Sequence, residues 1–142
     1  MEAHTLELEY DSTLDSVDSA EEAVLQEAAP LAFDEDELHR IGIAVRECMV
    51  NAVVHGNRYN GKKRVRMQLS RDAHSLSIRI ADEGEGFDPA AVPDPGGEEN
   101  LLKQSGRGVM MMNAFMDQVE ISPGVPRGTV VKMVKYKTST NP

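Results

Sequence analysis

The sequence predicts a two-layer α/β sandwich in which a mostly antiparallel sheet is covered by helices on one face. Three observations point there. An alternating apolar segment opens the chain, two long segments with apolar residues every three or four positions follow, and alternation then returns in a hairpin and two closing strands. A length of 142 residues with 40% hydrophobic content suits one core. Residues 1–137 are read as that single domain and residues 138–142 as a frayed tail.

Residues 5–10 place Leu6, Leu8 and Tyr10 on one side, the pattern of a half-buried strand. After a short polar link, residues 12–29 turn rich in alanine, glutamate and leucine. Leu14, Val17, Val24 and Ala28 fall near helical spacing there, and Pro30 ends the helix. Asp34 with Glu37 three positions on starts the second helix as a capping box. Leu38, Ile41, Val45, Cys48, Met49 and Ala52 form its apolar stripe, and Gly56 stops it after His55. Residues 64–69 and 75–81 read as a hairpin turning at 71–74, with Leu76, Ile78 and Ile80 on one face. A loop rich in Gly, Pro, Asp and Glu covers residues 82–108. Residues 109–116 read as a third helix, with Met110, Met111, Met112 and Met116 as core filling, and 119–122 and 128–136 as closing strands.

Composition removes several classes of function. The lone Cys48 sits inside a helical apolar pattern, which argues against an oxidised, secreted scaffold. The first residues lack the pattern of a signal peptide and no stretch suffices for a membrane span, so a cytoplasmic protein is expected. Acids outnumber bases 24 to 15, and 13 of the acids lie in the first 37 residues, ahead of the first basic residue, Arg40. Nucleic-acid phosphates would be repelled by such a front end, which otherwise reads as a solvated, solubilising face.

Three segments carry chemistry. In residues 47–56, Glu47, Asn51 and His55 recur at i, i+4 and i+8, opposite the core positions Leu38, Val45, Met49 and Ala52. A carboxylate and a carboxamide one turn apart suit proton acceptance and the holding of a hard cation, although alone they are the ordinary solvated face of an amphipathic helix. In residues 80–87, Asp82 continues the phase of Leu76, Ile78 and Ile80, so its carboxylate falls on the apolar side at the strand end and needs a partner. Gly84 and Gly86 clear side chains just beyond it, as a flat ligand lying against backbone would require, or as a plain Asp-Glu-Gly turn would show. In residues 105–112, Gly106, Arg107 and Gly108 open a helix whose free N–H groups and cation favour an anion, while a lone Gly-Arg-Gly also fits a surface turn.

Order and spacing give the three their specificity. A helix with Glu47, Asn51, Ala52, His55 and Gly56, a strand ending in Asp82, Gly84, Gly86 and Phe87, and Gly106-Arg107-Gly108 at a helix start resemble the N box and the two glycine boxes of GHKL ATPases and kinases. The likeness is nearest to the stand-alone anti-sigma-factor serine kinases of the RsbW type and runs from the first strand to Gly128-Thr129. It implies the Bergerat ATP-binding fold, ATP and Mg²⁺ as ligands, and a lid in residues 87–105.

By that resemblance, Glu47 is the catalytic base, Asn51 the metal ligand, and Asp82 the acceptor of the adenine amino group. Gly84 and Gly86 lie against the base, Thr129 supports the adenine contact, and Gly106, Arg107 and Gly108 close over the phosphates. His55 is better read as structural. The resemblance further implies serine phosphorylation of a STAS-like anti-anti-sigma protein and sequestration of a sigma factor, with dimers common among such proteins. A non-enzymatic, ATP-dependent binding module is the competing class, and Glu47 favours the kinase because a pure binder needs no base.

Overall fold

A computed structural model of the chain describes residues 4–84, 110–125 and 127–137. Gly86, Gly106, Arg107, Gly108, the expected lid and the tail at 138–142 lie outside these residues.

The described elements follow the expected order. Strand β1 (His4–Asp11) leads to helix α1 (Asp15–Ala28), a 3₁₀ turn (Ala29–Leu31) and helix α2 (Glu35–Val50), which continues as a π-helical stretch (Asn51–Gly56). Strands β2 (Arg64–Arg71) and β3 (Ser75–Ala81) form the hairpin, residues 110–115 are helical, and β4 (Gln118–Pro123) and β5 (Thr129–Tyr136) close the sheet. All pairings are antiparallel, in the order β1-β2-β3-β5-β4. The two-layer sandwich expected from the sequence is therefore the fold.

One face of the sheet is apolar because register aligns the alternating side chains. Met67 pairs with Ile80 and Leu69 with Ile78, and Ile80 and Ile78 pair in turn with Val131 and Met133. Against this face α1 buries Val17, Ala20, Val24 and Ala28, and α2 buries Ile41, Ala44, Val45, Cys48 and Met49. The spacing of three and four puts each set on one helical stripe. The other face stays polar, with the row Glu7, Gln68, Arg79, Lys132 and Glu120 running across all five strands.

Local signals fix the ends. Asp34 accepts from the Glu37 N–H at 2.7 Å while Glu37 reaches back to the Asp34 N–H at 3.4 Å, so the capping box forms as read. Helices α1 and α2 meet at Gly42, where a β-carbon would fall 2.6 Å from Glu21 Oε2. Arg46 Nη1 then reaches Asp18 at 2.6 Å and Glu21 at 3.0 Å.

Three expectations need correction. Leu14 stands before α1 and is 51% exposed, so it contributes nothing to that helix's apolar stripe. Among the methionines read as core, Met112 and Met116 are buried but Met110 is 72% exposed at the edge of its helical segment. Ser12, read as the start of the first helix, lies in the link ahead of α1 and is buried.

Candidate functional site

The end of α2 and the end of β3 meet at Asp82. The α-helical ladder gives way to wider turns at residue 51, and the Asn57 N–H closes the last one on Ala52 O at 2.8 Å, a bond five residues back. Such widening is frequent at functional sites. Glu47 and Asn51 remain one turn apart, with the Asn51 N–H bonded to the Glu47 carbonyl, and both side chains are half-buried. Neither side chain has a hydrogen-bond partner among the described residues. His55, beyond the point where the helix widens, leaves the simple i+4 stripe and is exposed.

Asp82 follows β3 in the apolar phase of Ile78 and Ile80. Its backbone N–H donates to Thr129 O at 3.0 Å, extending the β3–β5 ladder by one step. Its Oδ1 accepts the Gly84 N–H at 2.9 Å and the Thr129 N–H at 3.2 Å. The second oxygen, Oδ2, accepts from no described residue, and no described buried side-chain polar atom lacks a partner. Oδ2 is thus a charged acceptor left open to an incoming donor. Burial pushes the Asp82 carboxyl above the usual aspartate range, opposed by the Gly84 and Thr129 N–H groups and by the charge of Lys63. Cys48 lies fully buried beneath, and desolvation with the nearby Asp82 charge drives its thiol upward, so it is an inert packing residue.

Three glycines make this convergence possible. A β-carbon on Gly56 would fall 2.5 Å from Asp82 Cγ and Oδ2, and one on Gly84 would fall 2.1 Å from Gly56 O. Gly128 has φ of +93°, and a β-carbon there would sit 2.0 Å from Asp82 O. Only backbones without side chains can crowd one carboxylate this closely. The pattern Asp82-Glu83-Gly84 revealed one of these glycines. Gly56 was read as a helix stop and Gly128 as half of a Gly-Thr pair, and their contact with Asp82 has no local sequence signal.

Two further residues escaped the sequence reading. Asn57 and Ser12 are buried polar side chains joined to each other at 2.9 Å. Thr129, of the Gly-Thr pair, meets Asp82 through its backbone N–H and carbonyl.

A groove of about 570 Å³ also borders Asp82, lined by Lys63, Arg66, Arg79, Glu83, Arg127 and Val130 among others. Arg66, Arg79 and Val130 belong to the sheet face turned away from the helices. That groove is therefore distinct from the side where Gly56 meets the Asp82 carboxylate. Among the described residues no cluster of three or more His, Cys, Asp or Glu could hold a metal, and no helix is long and apolar enough to cross a membrane.

Comparison with known proteins fits this geometry. The sequence profile of the histidine kinase-like ATPase domain matches residues 10–135, which spans every strand and helix named above except most of β1 and the last residue of β5. An anti-sigma F factor of Anoxybacillus flavithermus is 30% identical over 112 residues, covering 74% of this chain and 73% of that protein. One from Bacillus subtilis is 28% identical over 138 residues, covering 92% and 91%. One from Bacillus cytotoxicus is 32% identical over 109 residues, covering 75% and 74%. With the profile matching nearly the whole chain and these relatives aligned over most of both lengths, the chain belongs to the histidine kinase-like (GHKL) ATPase family, in its branch of RsbW-type anti-sigma-factor kinases.

Proposed function

We propose that this protein binds Mg-ATP at the junction of α2 and β3 and transfers the γ-phosphoryl group to a serine or threonine of a STAS-like anti-anti-sigma protein in the cytoplasm, while holding a sigma factor in check. The observation that carries the reading is the Asp82 carboxylate. One of its oxygens is spent on two backbone N–H groups and the other is left free beside Gly56. A half-buried, oriented acceptor walled by glycines suits a flat heterocycle bearing an amino group. The anti-sigma F factors aligned above support the choice of a sigma factor as one partner.

In this reading Asp82 accepts the adenine amino group and Thr129 steadies it through the backbone. Asn51 would offer an amide oxygen to a magnesium ion, an oxygen-seeking cation that would supply positive charge to the phosphates. When bound, Mg-ATP supplies the phosphoryl group and the charge neutralisation that its transfer requires. The Glu47 carboxylate takes the proton of the attacking hydroxyl as that oxygen bonds to the γ-phosphorus. The bond to the β–γ bridging oxygen breaks, and ADP carries away the electron pair. By the family resemblance, Gly86 would lie against the adenine and Gly106, Arg107 and Gly108 would close over the phosphates, Arg107 opposing the charge of the transferred group.

The test is transfer from labelled ATP, with magnesium, to STAS-like proteins encoded near the gene. Glu47→Gln keeps size and hydrogen bonding but cannot take a proton, so binding of Mg-ATP should survive while transfer falls about a hundredfold or more. Asn51→Ala should lose the magnesium-dependent part of binding and all transfer with it. No transfer by the unvaried protein to any such partner, with partner binding intact in Glu47→Gln, would replace the kinase with an ATP-gated binding module.

A further inference from the structure

Behind Asp82 lies a polar cluster that none of these roles uses. Asn57 is 1% exposed, a rare position for a carboxamide, and its side chain is fully engaged. Its Nδ2 donates to Ser12 Oγ at 2.9 Å and to Arg64 O at 3.0 Å, and its Oδ1 accepts the Glu83 N–H at 2.7 Å. Ser12 Oγ donates onward to Lys63 O at 2.5 Å, and the Arg64 N–H donates to the Glu83 carboxylate. One side chain thereby joins the link after β1, the start of β2, the turn after β3 and the end of the π-helical stretch.

The groups it adjoins or holds surround the free acceptor. Asn57 follows Gly56, whose missing side chain leaves room for Asp82 Oδ2. Glu83, whose N–H it holds, stands between Asp82 and Gly84, and the Gly84 N–H binds the other carboxylate oxygen. The turn after β3 is pinned to β5 through Thr129 on one side and to the helix end through Asn57 on the other. Without the second pin, the turn could rotate about the first and re-aim the carboxylate.

We infer that Asn57 is a positioning residue for base recognition: it fixes the direction in which Asp82 Oδ2 meets the ligand's amino group. This rests on the nucleotide reading given above. A purely structural asparagine would affect stability and leave base selectivity alone, so selectivity is the quantity to measure.

The probes are ATP and purine riboside triphosphate, which carries hydrogen in place of the 6-amino group, each with magnesium and below the melting transition of every variant. The unvaried protein should prefer ATP by about tenfold or more, the range for a hydrogen bond to a charged acceptor. Asn57→Ala should weaken ATP about tenfold while the purine analogue changes by less than about threefold, so the preference collapses. Ser12→Ala, a milder change that removes one of the two acceptors of Asn57 Nδ2, should lower the preference part of the way and serves if Asn57→Ala does not fold. Full preference retained in the variants that fold, with only the melting point lowered, overturns the inference. No preference in the unvaried protein overturns the adenine assignment of Asp82 itself, and this inference with it.

Discussion

Asp82 illustrates at the scale of one residue how a binding group opposes stability. In the unfolded chain it titrates as an ordinary aspartate, whereas burial in the fold moves it upward against the pull of the Gly84 and Thr129 N–H groups and Lys63. Between those two values the folded state binds more protons than the unfolded one. Stability therefore falls as pH rises through that window, and the loss persists above it. Asp82→Asn keeps an oxygen for both N–H donors and removes the burial-penalised charge. Its thermal midpoint at pH 7 should equal or exceed that of the unvaried protein, and its midpoint should lose this part of the pH dependence. Calorimetric scans from pH 4 to 8 decide this, and a midpoint lower by more than about 2 °C at pH 7 would show that the charge is instead stabilised in the fold. ATP affinity should fall in the same variant, the trade expected where a site is built at the expense of stability.

Among the elements, the helix end and the turns were the least legible in the sequence. Strand phase placed Asp82 correctly because alternation is a property of the strand alone, and the 3-and-4 spacing placed the core of α2 for the same reason. Gly56, Gly128, Ser12 and Asn57 act through contacts between segments far apart in the chain, which no local pattern records. The π-helical widening after Val50 likewise has no residue that announces it. Substitution can grade these glycines. Gly128→Ala meets both a φ of +93° and a contact 2.0 Å from Asp82 O, and should cost roughly 2–4 kcal/mol. Gly61→Ala has open space around it and should change stability by less than about 0.5 kcal/mol. Denaturant titration of the two, with equal m-values, separates strain from loss of cooperativity.

Across the whole molecule, charge works against compactness. The formal net charge is −9, and more than half of the acids lie ahead of the first basic residue. The exposed pairs Arg46 with Asp18 and Arg64 with Glu9 contribute at most about 1 kcal/mol each and weaken with salt. The more shielded Arg71–Glu27 pair at 2.9 Å is screened less. Repulsion among nine excess charges should outweigh these losses, so the thermal midpoint should rise when sodium chloride is raised from about 0.05 to 0.5 M. A falling midpoint would mean that local pairs dominate.

The most direct measurement of the central claim is calorimetric titration of Mg-ATP into the unvaried protein and into Asp82→Ala. The unvaried protein should bind one nucleotide per chain. The variant should bind at least about tenfold more weakly, the effect of removing a charged hydrogen-bond acceptor. Equal affinity in the two proteins, or no binding to the unvaried one, would contradict the account.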